Sequence, residues 1–191
     1  MMDTCSHMQR FPFNPIKAIQ AVAHLLSQHP NFEMSYIRML KLLYIADREC
    51  LAETGRPITG GGQVVMDHGP LHSRIYNMVL GSDIRSRDWQ KYIKKEGYQI
   101  KLVEDPGMGS LTKFEGRKLT EVIDRFKDMD DWALVRHTHT FEEVKKNEPP
   151  RGSSNILPLD DVLDAIGMSD KAQQIKQDMC DSEAINKAIR G

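Results

Sequence analysis

The chain has 191 residues, 40% hydrophobic and 28% charged, with a formal net charge of −1. That length buries a core without disulfides or a metal, and the near-neutral balance carries no overall electrostatic signature for nucleic acid or a membrane surface. Cys5, Cys50 and Cys180 form no disulfide framework, no stretch reaches the roughly 18–20 apolar residues of a membrane span, and MMDTCSHMQRF lacks a signal peptide's apolar core, so a cytoplasmic location is expected.

Residues 1–13 show no periodicity and are expected to be flexible, with Phe11 and Phe13 free to pack against the first helix. Asn14 as N-cap and Pro15 in the first turn open that helix, and Ile16, Ile19, Val22, Ala23 and Leu26 recur at helical spacing until His29-Pro30. Ser35 caps a second helix. It is apolar nearly all round, from Ile37 through Leu40, Leu43 and Tyr44 to Ala46, which predicts a central helix packed on several sides. Gly55 ends it as a C′ glycine would. Gly60-Gly61-Gly62 reads as a flexible turn, because it lacks both the GK[S/T] ending and the G-x-G-x-x-G run of a phosphate loop. Val64 to Met66 reads as a strand, and Pro70 as the first position of a third helix that buries Ile75, Tyr76, Val79 and Leu80.

Ser82 to Lys95 is polar and basic, with Trp89, Tyr92 and Ile93 as anchors; its mixed charges predict a solvated face or a patch for an acidic partner. Tyr98 to Val103 alternates as a strand, and Asp105-Pro106-Gly107 is a turn. Thr112 and Glu115 have capping-box spacing for a helix through Leu119, Val122, Ile123 and Phe126, although Gly116 weakens it by roughly 1 kcal/mol. Asp131 is the expected cap of a short helix bearing Trp132, Leu134 and Val135, and EPPRGSSN, residues 148–155, reads as a loop. Leu159, Val162, Leu163 and Ile166 predict a small helix closed by Gly167. The expected fold is mainly α (α+β): a compact helical domain around a central apolar helix, with a small β-sheet or hairpin from the middle of the chain. One domain over residues 14–168 is expected, with 169–191 a helical or flexible tail.

Among residues able to carry chemistry, Lys41 interrupts an apolar run without an acid three or four positions away. Its ammonium therefore needs water, a helix-terminal carbonyl or a carboxylate from elsewhere, and contact with a partner and support of the fold both stay open. Asp47 raises the same question. His68, Gly69 and Pro70 lie where free N–H groups of a helix start are expected to receive an anion or a partner's carboxylate. His68 and His72 have i, i+4 spacing, and His137 and His139 flank Thr138, but neither pair makes up the three or four ligands of a zinc site. Neither a metal nor a cofactor is expected.

KLLYIADRE (Lys41–Glu49), GRPITG (Gly55–Gly60), DHGPLHSRIY (Asp67–Tyr76) and LTKFE followed by THTFEE occur in one order, and together resemble the Panacea domain of SocA-like antitoxins. The resemblance covers about residues 14–168, with ILPLDDVLDAIGM near its end. It implies a helical domain that binds and silences a cognate protein toxin encoded by a neighbouring gene. It also implies a surface, or its internal support, at Lys41, Tyr44, Asp47, Arg48, His68, Gly69, Pro70, Tyr76, Thr138 and His139. Delivery of a toxin to a AAA+ protease is the alternative within the binding class. A metal-dependent hydrolase using His68, His72, His137 or His139 is the alternative from another class. Neither a membrane nor nucleic acid is expected as a partner.

Overall fold

The computed structural model describes residues 10–190, apart from the side chains of Glu183 and Asn186–Arg190. Helix α1 (Pro15–Ser27) starts where its cap chemistry places it, with the Asn14 side chain accepting from Lys17 N–H. Helix α2 (Tyr36–Thr54) is capped by Ser35 and stopped by Gly55 at φ +74°, a conformation that favours glycine. Every residue of α2 from Arg38 to Asp47 is buried. A surface helix buries one stripe; this one is enclosed on all sides because other elements cover each of its faces.

Those elements include two three-stranded antiparallel sheets. The first joins β1 (Glu33–Ser35), β5 (Gln99–Leu102) and β4 (Ile93–Glu96), with Met34 opposite Ile100 and Ile93 opposite Leu102. The second joins β3 (Gly69–His72), β2 (Gln63–Met66) and β6 (Ser154–Leu157), with Val65 opposite both Pro70 and Asn155. Helices α3 (Ser73–Leu80), α4 (Ser86–Tyr92), α5 (Lys113–Arg125), α6 (Asp131–Thr138), α7 (Glu142–Lys146), α8 (Leu159–Ala165) and α9 (Ala172–Arg190) complete the order. A large apolar cluster packs α1, α3, α5 and the first sheet against one side of α2, with Leu42, Ile75, Trp89, Ile100 and Val122 at its centre. A smaller cluster on the other side joins Tyr44 and Leu51 to Val65, Leu157, Leu163, Ile175 and Met179.

The helical class, the central helix and the small-sheet component agree with the sequence reading, while several details differ. The sheet content draws on β1 and β6 at the two ends of the chain as well as on its middle. Pro70 lies in β3, not at a helix start; β3 is an edge strand, so the missing N–H leaves no ladder bond unmade. Helix α3 accordingly begins at Ser73, and the free helix-start N–H groups expected at His68–Pro70 are absent. The basic segment gives up its last residues to β4, and Trp89 is only 1% exposed, so its ring is core. Asp130 caps α6 in place of Asp131, which instead bonds Ser35 and Arg38. The end of the expected loop is β6, recruited by pairing with β2. The capping box of Thr112 and Glu115 forms as expected. The N-terminal stretch Phe11–Phe13 lies on the glycine turn: Gly61 N–H donates to Phe11 C=O, and a side chain at Gly60 would collide with the Pro12 carbonyl. Of the tail, Ile175 and Met179 are buried in the second cluster while Ile185 is exposed. Residues 1–9, including Cys5, lie outside the described residues.

Candidate functional site

Four polar side chains of α2 run through this apolar setting, and each finds a partner, two of them the same one. Lys41 is 2% exposed; its Nζ donates to the Pro70 carbonyl at 2.8 Å. A carbonyl supplies no full negative charge, so burial pulls the Lys41 amine down to about 7. One turn on, the Tyr44 hydroxyl donates to Glu143 Oε1 at 2.9 Å. Burial, reinforced by that carboxylate, holds the phenol well above its usual range, so it remains a donor.

Asp47 is 1% exposed and accepts from Ile58 N–H (3.0 Å), Thr59 N–H (3.1 Å), the Thr59 hydroxyl (2.6 Å) and His72 Nε2 (2.8 Å). A carboxylate in that contact only accepts, which puts the shared proton on His72 Nε2. These bonds tie α2 to the turn before the glycines and to β3 at once. Arg48 closes the row: Nε and Nη2 reach Glu143 at 2.6 and 3.4 Å, and its guanidinium lies over the Phe141 ring at 4.5 Å.

The hairpin tip completes the arrangement. Gly69 has φ +82°, and a Cβ there would stand 2.9 Å from Thr138 Oγ1 and 3.2 Å from His139 Nε2. Only glycine lets β3 approach the end of α6 so closely. His139 faces Glu148 at 3.4 Å, while exposed His68 meets the edge of the Trp132 ring at 5.1 Å between centroids. Tyr76 lies apart, 6.4 Å from Tyr36, which in turn stacks on Tyr98.

The structure therefore brings Lys41, Tyr44, Asp47 and Arg48 onto Pro70, His72 and Glu143, and brings Gly69 onto Thr138 and His139. It does not join His68 to His72: one points outward to Trp132, the other inward to Asp47. Nor do His137 and His139 converge, since His137 sits between Phe126 and Phe141, where burial lowers its pKa. Among the described residues no three His, Cys, Asp or Glu side chains are placed to hold a metal ion. Glu143, in sequence only one acid of THTFEE, is the carboxylate that receives both Tyr44 and Arg48. Its one sequence signal is an acid next to the buried Val144, too weak to assign. Lys41, Tyr44 and Asp47, at 2%, 0% and 1% exposure, are enclosed by the protein, whereas Arg48, His68, Tyr76 and His139 reach solvent.

Residues 39–143 match the model of the family described as antitoxin SocA-like, Panacea domain. The match covers more than half of the chain. The chain belongs to this family. No curated protein and no solved structure matches it. The Panacea match contains both ends of the braces that Lys41, Tyr44, Asp47, Arg48 and Gly69 make, with Glu143 its last residue, and leaves α1, β1, β6, α8 and α9 outside. Among the described residues no helix is long and apolar enough to cross a membrane.

Proposed function

We propose that the chain is an antitoxin that neutralises a cognate protein toxin, encoded by a neighbouring gene, through direct binding in the cytoplasm. The Panacea match carries the reading. Residues 14–168 form the antitoxin domain, and the tail from 169 flanks it. The enclosed members of the motif set, Lys41, Tyr44, Asp47, Gly69, Pro70 and Thr138, support the fold by fixing the hairpin and α7 on α2. Arg48, His68, Tyr76 and His139 are the members able to touch a partner. An exposed Trp132 beside His68 gives that face an anchor of the kind that concentrates binding energy.

Co-expression with each adjacent gene tests the reading, scoring growth and recovery of a complex on the tagged chain. Rescue of growth by one neighbour, with that neighbour co-purifying, is expected; no rescue by any neighbour overturns it. Rescue accompanied by loss of the neighbour, abolished when a AAA+ protease is removed, would replace neutralisation by delivery for proteolysis.

A further inference from the structure

Beside the α2 row lies a cleft of about 370 Å³, within the roughly 300–1,000 Å³ of typical binding pockets. Its walls come from two sources. Asp47, Arg48, Leu51 and the glycine turn belong to the family segment, whereas Phe11, Ile156, Leu157 and Val162 come from chain outside it. The lining is apolar along Phe11, Leu51, Leu157 and Val162, and Ile156 stands on it 76% exposed, an apolar side chain with its packing unmade.

Charge at the cleft is one-sided in what remains available. Arg10 makes no hydrogen bond or ion pair among the described residues, and Arg48 commits Nε and Nη2 to Glu143 but leaves Nη1 without a partner among them. The Asp47 carboxylate also lines the cleft, yet its oxygens already take the bonds from Ile58, Thr59 and His72. Two open guanidinium groups over an apolar floor match an apolar side chain flanked by carboxylate.

We infer that this cleft docks a short acidic, apolar segment of the partner protein, with its apolar side chain between Leu51, Ile156 and Val162 and its carboxylate on Arg10 and Arg48. The inference rests on the antitoxin reading and names where the toxin is held. Because six of the sixteen lining residues lie outside the family segment, the cleft is also where this chain selects its partner.

Two measurements on the full chain test it. Calorimetry compares the neutralised toxin's affinity for wild type, Arg10→Glu and Ile156→Asp, both changes being at exposed positions, with thermal unfolding as the control for folding. A loss of tenfold or more in each variant at unchanged Tm is expected. Unchanged affinity overturns the cleft and leaves the antitoxin reading standing. The second measurement needs no toxin: anisotropy of a fluorescein-labelled peptide alternating Leu and Glu, against a Leu–Lys control. Saturable binding of the Leu–Glu peptide alone, lost in Arg10→Glu, is expected. No binding, equal binding of both peptides, or binding retained by the variant overturns the cleft. Where no toxin is neutralised, the antitoxin reading fails and the peptide result alone decides the cleft.

Discussion

The two sheets flank the same helix, both through apolar packing, but among the described residues only the second is also tied to it by buried charged groups. The β1-β5-β4 sheet rests on the core through Met34, Ile93 and Ile100 and turns Glu33, Lys94, Gln99 and Lys101 to solvent. Its one cross-strand ion pair, Lys101–Glu33, is 3.9 Å long and exposed. The β3-β2-β6 sheet packs Val65 and Leu157 on α2 and is joined to it as well by buried charged groups, Lys41 to the Pro70 carbonyl and Asp47 to His72. Apolar packing tolerates substitutions of similar volume. A buried charge that loses its partner costs several kcal/mol, so it fixes one placement of its strand. The motif residues lie almost entirely on the second, specified side.

The sharpest way to break the contrast is Asp47→Ala, which strands the N–H groups of Ile58 and Thr59 and the His72 ring. A loss of about 3–5 kcal/mol in urea unfolding is expected, the range for breaking a buried pair. A loss under about 1 kcal/mol would mean that the second sheet is held by packing alone. Next in size, Gly69→Ala forces φ +82° on a residue whose Cβ meets Thr138. Destabilisation of about 2 kcal/mol is expected, read as a lower midpoint at constant m-value.

Lys41 gives a test by pH. Folded, its amine titrates near 7, against 10.5 for an ordinary lysine. Between those values the unfolded chain binds a proton that the folded chain does not. This lysine therefore makes stability rise with pH through that window, by up to about 1.4 kcal/mol per pH unit, and contributes no slope below it. Lys41→Met should remove this contribution to the slope without loss of stability at neutral pH, because a buried ammonium is replaced by an apolar chain of similar length. An unchanged pH profile in the variant would assign the slope to other groups.

The smallest effect belongs to the first sheet. Lys94 stands directly opposite Lys101, so Lys94→Glu exchanges a repulsive pair for an attractive one, with a gain of about 0.2–1 kcal/mol. Thermal unfolding at low and high salt measures it, and the gain should shrink as salt screens the pair.

Local chemistry was readable in the residues themselves. Asn14, Ser35, Gly55 and the Thr112–Glu115 box all end helices as their types require, because a cap and the N–H or C=O that it serves lie within about four residues. The same local logic misplaced Pro70: Gly-Pro reads as a helix start unless an edge strand is present to accept it, and the edge exists only once β2 pairs with β3 and β6. β6 was hidden for the same reason, since its pairing with β2 joins residues 88 to 94 positions apart.

The candidate site divides along that line. Sequence alone determined that α2 is central, that Lys41 needs a partner, and, through the order of its motifs, which family the chain joins. Tertiary structure alone decided that Lys41 meets a carbonyl 29 residues away, that Asp47 meets His72 at a separation of 25, and that Tyr44 meets Glu143 at 99. A helix repeats every 3.6 residues and records its own burial in its pattern. The partner of a buried charge leaves no periodic trace, because it is chosen by how the elements pack.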